Sequence, residues 1–230
     1  MRLPDKTATM EAAIAAIPDG ATIMLGGFGV PGTPFCLIRE LVRQGQKDLT
    51  IIKNDANETG MGVDWLLEAG QVARLIASHI GLNSRAVRMM NAGEIEVEFA
   101  AQGILAERIR CAGSGLLGFV TDIGLGTRMA RGKTEVTVEG RTGLLETALF
   151  ADFALVHADR ADHFGNLCYA AAARNFNPLI AMAARRTIAE VETVLPLGAL
   201  APEEVHTPGP FVDQVIALPE LPEVYGVVQR

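Results

Sequence analysis

Short apolar runs alternate along this chain with stretches in which apolar residues recur at i, i+3 and i+4. Ala21-Thr22-Ile23-Met24-Leu25, Leu49–Ile52, Val72–Ala77 and Ile95–Phe99 read as strands. Between them, Leu37/Ile38/Leu41/Val42, Val63–Ala69 and Ser84–Ala92 read as helices, and Met10, Ile14 and Ile17 form an earlier helical stripe. A helix between successive strands is the repeat of βαβ units, and strands apolar along their whole length belong in a sheet covered on both faces. The pattern therefore predicts an α/β fold with three αβα layers and a mostly parallel sheet, as a single domain over residues 1–230.

Local signals sharpen two places. The helix of Leu37 has Thr33 placed to cap it, Pro34 suited to its first position and Gly45 where a C-terminal glycine belongs. After a further helix, Ile104–Arg110, the glycine-rich stretch Cys111–Lys133 shows little periodicity and is expected to be irregular, and so functional or interfacial. Strands are then expected near Glu135–Val138, Phe153–His157, Leu167–Tyr169, Thr187–Val191 and Val215–Leu218, with a helix in Asn177–Ala184.

Composition removes several functional classes. Apolar residues are 49% of the 230 and charged residues 20%, an ordinary globular mixture, and no apolar run approaches the ~18–20 residues that span a bilayer. Asp and Glu outnumber Lys and Arg by 27 to 20 and aromatic residues are only 5%, so neither a basic footprint nor a base-stacking platform for nucleic acid is present. Three widely spaced cysteines, Cys36, Cys111 and Cys168, suit neither a disulfide framework nor a zinc site. With polar residues from the start of the chain, the expected location is the cytoplasm.

The strongest local motif is Gly26-Gly27-Phe28-Gly29-Val30-Pro31-Gly32, which joins a buried strand to a helix, the position where open α/β sheets hold phosphate-bearing ligands on backbone N–H groups. Gly27-x-Gly29-x-x-Gly32 also matches the dinucleotide fingerprint, with Asp55 as its ribose-binding acid. Against an NAD site, Pro31 and Pro34 bracket the third glycine and place it before the helix. Gly126–Lys133 is one residue too long for a P-loop, and Gly113-Ser114-Gly115 lacks the outer glycines of a nucleophile elbow. His157, Asp159, Asp162 and His163 fit no common metal spacing and read as a polar corner after a strand.

These residues in order resemble the first (α) subunit of the family I 3-oxoacid CoA-transferases over nearly the whole chain. The likeness rests on Asp19-Gly20, Ile23-Met24-Leu25, Gly26-Gly27-Phe28 and Gly32-Thr33-Pro34. It continues through Asp48–Ile51, Ala101-Gln102-Gly103, Ala106–Arg110, Ala112–Gly115, Asp152–Leu155 and Ala173-Arg174-Asn175-Phe176-Asn177. The resemblance implies the fold shared by CoA-transferases and sugar-phosphate isomerases. It also implies transfer of CoA from an acyl-CoA to a carboxylic acid such as acetoacetate, with no cofactor and no metal. In such enzymes a partner B subunit carries the catalytic Glu, in a Glu-Asn-Gly stretch; no Glu here is followed by Asn. By the same resemblance Gly26, Gly27, Phe28, Gly29, Val30, Pro31 and Gly32 form the CoA-binding loop, and Asn54 and Gln102 face the reacting carboxylate and thioester. Neutral amide donors suit a developing oxyanion. The segment His79–Asn83 looks more like members that handle acetate, butyrate and acetoacetate than those for 3-oxoadipate or succinate. The competing readings are an NAD-dependent oxidoreductase and a non-catalytic ligand-binding module on the same fold.

Overall fold

The computed structural model describes residues 4–222 and Tyr225. The chain begins with α1 (Met10–Ala15) and β1 (Thr22–Leu25), then alternates α2 (Phe35–Gln44), β2 (Leu49–Ile52), α3 (Val63–Glu68), β3 (Val72–Ala77), α4 (Ser84–Ala92) and β4 (Glu96–Phe99). After α5 (Gln102–Gly113) come β5 (Gly118–Thr121), β6 (Glu135–Val138), β7 (Arg141–Thr147), the long β8 (Ala151–Asp162), the two-residue β9 (Leu167–Cys168), α6 (Asn177–Ala183), β10 (Ala184–Leu195) and β11 (Gln214–Ala217).

The main sheet has the order β11-β10-β8-β1-β2-β3-β4, with every pair parallel; β9 alone adds an antiparallel partner to β8. Successive strand residues point to opposite faces, and two cores result. Ile23, Leu25, Ile51, Leu75 and Leu155 face α1 to α4, while Met24, Ile52, Ile76, Ala154 and Val156 face α5 and α6. This is the expected three-layer αβα arrangement. The strands after β1 run outward on one side and β8, β10 and β11 lie on the other, so the chain order reverses at β1. At such a reversal the loops leaving neighbouring strands diverge and open a crevice at the carboxyl edge. The glycine loop leaves β1 at that point.

Three expectations need correction. Part of the stretch expected to be irregular is ordered: β5 pairs with β7, and β7 with β6, in an antiparallel three-stranded sheet. The β6–β7 connection is Glu139-Gly140, both at positive φ (48° and 76°) as a two-residue hairpin requires. Glutamate is a poor signal for that turn, which is why the strand after it has no clear mark in the sequence.

The second correction concerns α2. It starts at Phe35, Pro34 occupies the capping position, and the Thr33 hydroxyl donates to the Gly29 carbonyl (2.6 Å) and does not cap the helix. The first turn is satisfied from across the sheet: the Leu37 N–H donates to Glu190 Oε2 of β10 at 2.8 Å. A carboxylate there also suits the positive end of the helix dipole. Its other oxygen, Oε1, meets His157 Nδ1 (2.9 Å) and accepts from the Tyr225 hydroxyl (3.1 Å). His157 is thus buried mid-strand in β8 and not at a polar corner, with Nε2 3.1 Å from Glu192 Oε1. Asp162 does turn the corner, accepting from the Phe164 and Asn166 N–H groups.

Burial alone would lower the His157 pKa, but Glu190 and Glu192 outweigh it and raise the imidazole to about 9. An unfolded histidine titrates near ~6.5. The charged form therefore stabilises the fold fully below that pH, and its contribution, on the order of 3 kcal/mol, is lost as pH rises through about 9. We expect the melting temperature to fall between pH 6.5 and 9, and His157→Gln to flatten that slope. Scanning calorimetry checks this; equal slopes in both proteins would contradict it.

Candidate active site

Four parallel strands deliver their carboxyl ends to one edge. β1 supplies the glycine loop, β2 supplies Lys53, Asn54 and Asp55, β3 supplies Ser78 and His79, and β4 leads to Gln102 at the start of α5. A pocket of about 90 Å³ lies here, lined by Phe28, Gly29, Val30, Met61 and Leu82 with Asp55, Asn57, Glu58 and His79.

The loop is built tightly. Gly26 N–H donates to Leu155 O of β8 (2.9 Å) and Phe28 N–H to Pro31 O (3.1 Å). A Cβ on Gly26 would overlap the Asn177 side chain, so that position is glycine for packing. Gly29 sits at φ +61° with open space around it, and only a glycine holds that backbone without strain. Its N–H is not aimed outward as the sequence suggested; it donates to Asp55 Oδ2 (2.9 Å), while its carbonyl accepts from Asn57 Nδ2 (2.8 Å). From behind, Asn175 Nδ2 donates to Pro31 O (2.9 Å) and Asn177 Nδ2 to Gly32 O (3.0 Å). Phe28 remains the exposed lip, with Gly29, Val30 and Pro31 half-buried beside it and Gly27 and Gly32 buried.

Asn54 and Gln102, 48 residues apart, meet: Gln102 Nε2 donates to Asn54 Oδ1 at 2.8 Å. Asn54 is 1% exposed, its oxygen also accepts from the Ser78 hydroxyl (3.1 Å), and its N–H₂ donates to Asp55 Oδ2 (3.0 Å). It therefore stands behind Gln102 and not beside it. Gln102 is exposed. An amide nitrogen carries two N–H groups, so one remains beyond the bond to Asn54.

Sequence reasoning gave no site role to Lys53, Asn57, Asn175 and Asn177, and named Asp55 only within the NAD reading that Pro31 and Pro34 oppose. Asp55 is 4% exposed and its two oxygens take four N–H donors, from Lys53, Asn57, Gly29 and Asn54, which leaves nothing for a ribose. That removes the ribose-binding acid on which the NAD reading depended. Burial raises the Asp55 carboxyl, but the Lys53 ammonium and the N–H donors outweigh it and hold the group below the usual carboxylate value. The Asn175–Asn177 pair had one signal, its place in a segment matching the CoA-transferases.

The arrangement is that of an α/β protein with a small pocket and a hydrogen-bonded polar cluster at the carboxyl edge of its sheet, and comparison with known proteins gives the family. The Coenzyme A transferase family model matches residues 7–218, and the chain belongs to that family. It is 45% identical over 215 residues to the α subunit of the acetate CoA-transferase of Escherichia coli strain K12, covering 94% of this chain and 98% of that one. It is 46% identical over 212 residues to the corresponding subunit of the 3-oxoadipate CoA-transferase of Pseudomonas putida, covering 91% and 92%. Among solved structures, an acyl-CoA transferase of E. coli O157:H7 superposes with a TM-score of 0.86 at 22% identity, over 99% of this chain and 49% of that one. This chain spans about half the length of that transferase. The CoA-transferase reading of the sequence holds, and nothing in these comparisons supports the oxidoreductase or the silent binding module.

Proposed function

We propose that this chain is the α subunit of a CoA-transferase that moves CoA from an acyl-CoA to a short-chain acid such as acetoacetate, and that a B subunit supplies the nucleophilic Glu. The observation that carries the reading is the exposed Gln102 amide, held by Asn54 beside the glycine loop at the sheet's carboxyl edge. The loop is the place for CoA. The partner's carboxylate attacks the thioester carbonyl, the C–S bond breaks, and CoA leaves as the thiolate from an acyl-glutamyl anhydride. The thiolate then attacks the glutamyl carbonyl, expelling the first acid as its carboxylate and leaving a glutamyl-CoA thioester. The second acid reverses the sequence. Each addition puts negative charge on a carbonyl oxygen, and an uncharged N–H donor already in place stabilises that charge without reorganisation. The carboxylates and the thiolate carry the chemistry, so no metal or cofactor is required.

Three facts support a partner. The relatives are named as single subunits of their enzymes, this chain spans about half of the superposed transferase, and no Glu-Asn pair occurs in the sequence. The segment Cys111–Lys133 is the proposed contact with it: Leu116, Leu117, Val120 and Ile123 are exposed there, Leu117 by 84%. Exposed apolar surface of this kind marks a binding face. Among the described residues no helix is long and apolar enough to cross a membrane.

The relatives are named for different acids at nearly equal identity, so identity does not select the substrate. The small pocket walled by Phe28, Val30, Met61 and Leu82 favours a short chain. An assay of the assembled enzyme with a panel of acids tests this: acetate, butyrate and acetoacetate should show a kcat/KM at least about 10-fold above 3-oxoadipate, which is longer, and succinate, whose second carboxylate would meet apolar walls and Glu58. Equal or reversed preference would overturn the short-chain assignment, and no transfer to any acid would overturn the function.

A further inference from the structure

The Asp55 carboxylate is the point where the two halves of the site are tied together. On Oδ2 it accepts from the Gly29 N–H (2.9 Å) and from Asn54 Nδ2 (3.0 Å), and on Oδ1 from Lys53 Nζ (3.0 Å) and the Asn57 N–H (2.9 Å). Four donors fill its acceptor sites. It is neither a base nor a substrate ligand.

Each bond has a consequence beyond Asp55. The bond to Gly29 fixes the apex of the glycine loop. The bond to Asn57 places the residue whose Nδ2 holds the Gly29 carbonyl, and whose Oδ1 accepts from the Val63 N–H of α3. Both backbone groups of the apex therefore depend on one carboxylate. The bond to Asn54 acts differently, by choosing which way an amide points. A carboxylate only accepts, so Asn54 must turn its N–H₂ to Asp55 and its Oδ1 toward Gln102 and Ser78. Rotated the other way, Asn54 would set oxygen against carboxylate and N–H₂ against the N–H₂ of Gln102. The orientation of Gln102 is thus inherited from Asp55. Lys53, buried below it, supplies the countercharge without which the carboxylate would be costly to bury.

We propose that Asp55 is a positioning residue that holds the CoA loop and the Gln102 amide in register, so that thioester binding and oxyanion stabilisation depend on one side chain. The proposal rests on the CoA-transferase reading above.

The test uses the assembled two-subunit enzyme and the substitution Asp55→Asn, made alone and in a Gln102→Ala background. Asn keeps the shape but presents N–H₂ to one of the two donor pairs. With Gln102 present, KM for acyl-CoA should rise about 10-fold and kcat should fall about 10- to 100-fold, the scale of small misplacements at a reacting centre. With Gln102 already removed, the KM rise should persist while kcat changes less than about 3-fold further, because the relay has nothing left to orient. A merely structural Asp55 lowers the melting temperature and the amount of active enzyme but leaves that split absent. Multiplicative kcat losses in the two backgrounds, or an unchanged KM in folded enzyme, would overturn the proposal. Should Asp55→Asn fail to assemble, Asn54→Ala cuts the Gln102 arm and leaves the bonds of Asp55 to Gly29 and Asn57 in place: kcat should fall with KM unchanged, and the loss should vanish in the Gln102→Ala background. A full additional loss there would overturn the link. Absence of transfer by the unsubstituted complex would overturn the function itself, and is seen before any variant is made.

Discussion

Replacing Gln102 by Ala in the assembled enzyme should lower kcat by roughly 10²- to 10³-fold, the usual loss for one oxyanion donor, with the subunits still associating normally. The residue is well placed for this. It opens α5 directly after β4, no side chain of Ala101 caps that helix start, and its exposed amide is oriented by Asn54 from the end of β2, two strands away in the sheet. Truncation to Ala removes a surface-accessible amide and leaves no buried group unpaired, since Asn54 Oδ1 loses Gln102 but keeps its bond from Ser78. The loss should therefore appear in turnover and not in folding. Gln102→Glu should be more damaging still, for two reasons. It faces one carboxylate oxygen toward Asn54 Oδ1 with no proton between them, and it sets a negative charge beside the oxygen that becomes negative in the transition state. Steady-state kinetics on enzyme shown to be assembled by gel filtration decide the matter. Near-normal kcat in both variants, or loss that only follows failed assembly, would return Gln102 to the role of a helix-start residue.

The parts of the fold that were legible in the sequence are those written in local periodicity. β1, β2 and β3 are apolar runs with residues committed to both faces, as a parallel sheet between helices demands, and the glycines after β1 mark the crevice where chain order reverses. The small antiparallel sheet was not legible, because its hairpin turns on Glu139-Gly140, and because β7 (Arg141–Thr147) shows only a weak buried pattern. The helix start at Thr33-Pro34 misled for another reason: its local cap was displaced by Glu190, a residue more than 150 positions away that no local rule connects to α2. Asp55 is the clearest case. Its position just beyond a strand suggested a ligand-binding acid, yet the donors that fill it include the glycine loop of another strand, and only the folded molecule brings them together. The resemblance to the CoA-transferases supplied Asn54 and Gln102 as a pair; their geometry distinguishes the amide that reaches out from the one that holds it.

The second large effect is dependence on a partner. Purified by itself, this chain should bind CoA weakly at its glycine loop and transfer none of it, and activity should appear on adding B subunit and rise until this chain is saturated. The reason is chemical. On the proposed function the loop, Asn54 and Gln102 bind the thioester and stabilise the oxyanion, but the anhydride route requires a free carboxylate at the reacting carbonyl, and Asp55 is saturated by four donors at 4% exposure. Glu58 also lines the pocket, and it is the carboxylate in this chain that the experiment must exclude. The most direct measurement is to mix the assembled enzyme with an acyl-CoA, without an acceptor acid, and weigh the two polypeptides by mass spectrometry. A mass increase of CoA less one water, that of the glutamyl-CoA thioester, is predicted only on the partner, with this chain unmodified; CoA found covalently on this chain, or transfer by this chain without its partner, would contradict the account.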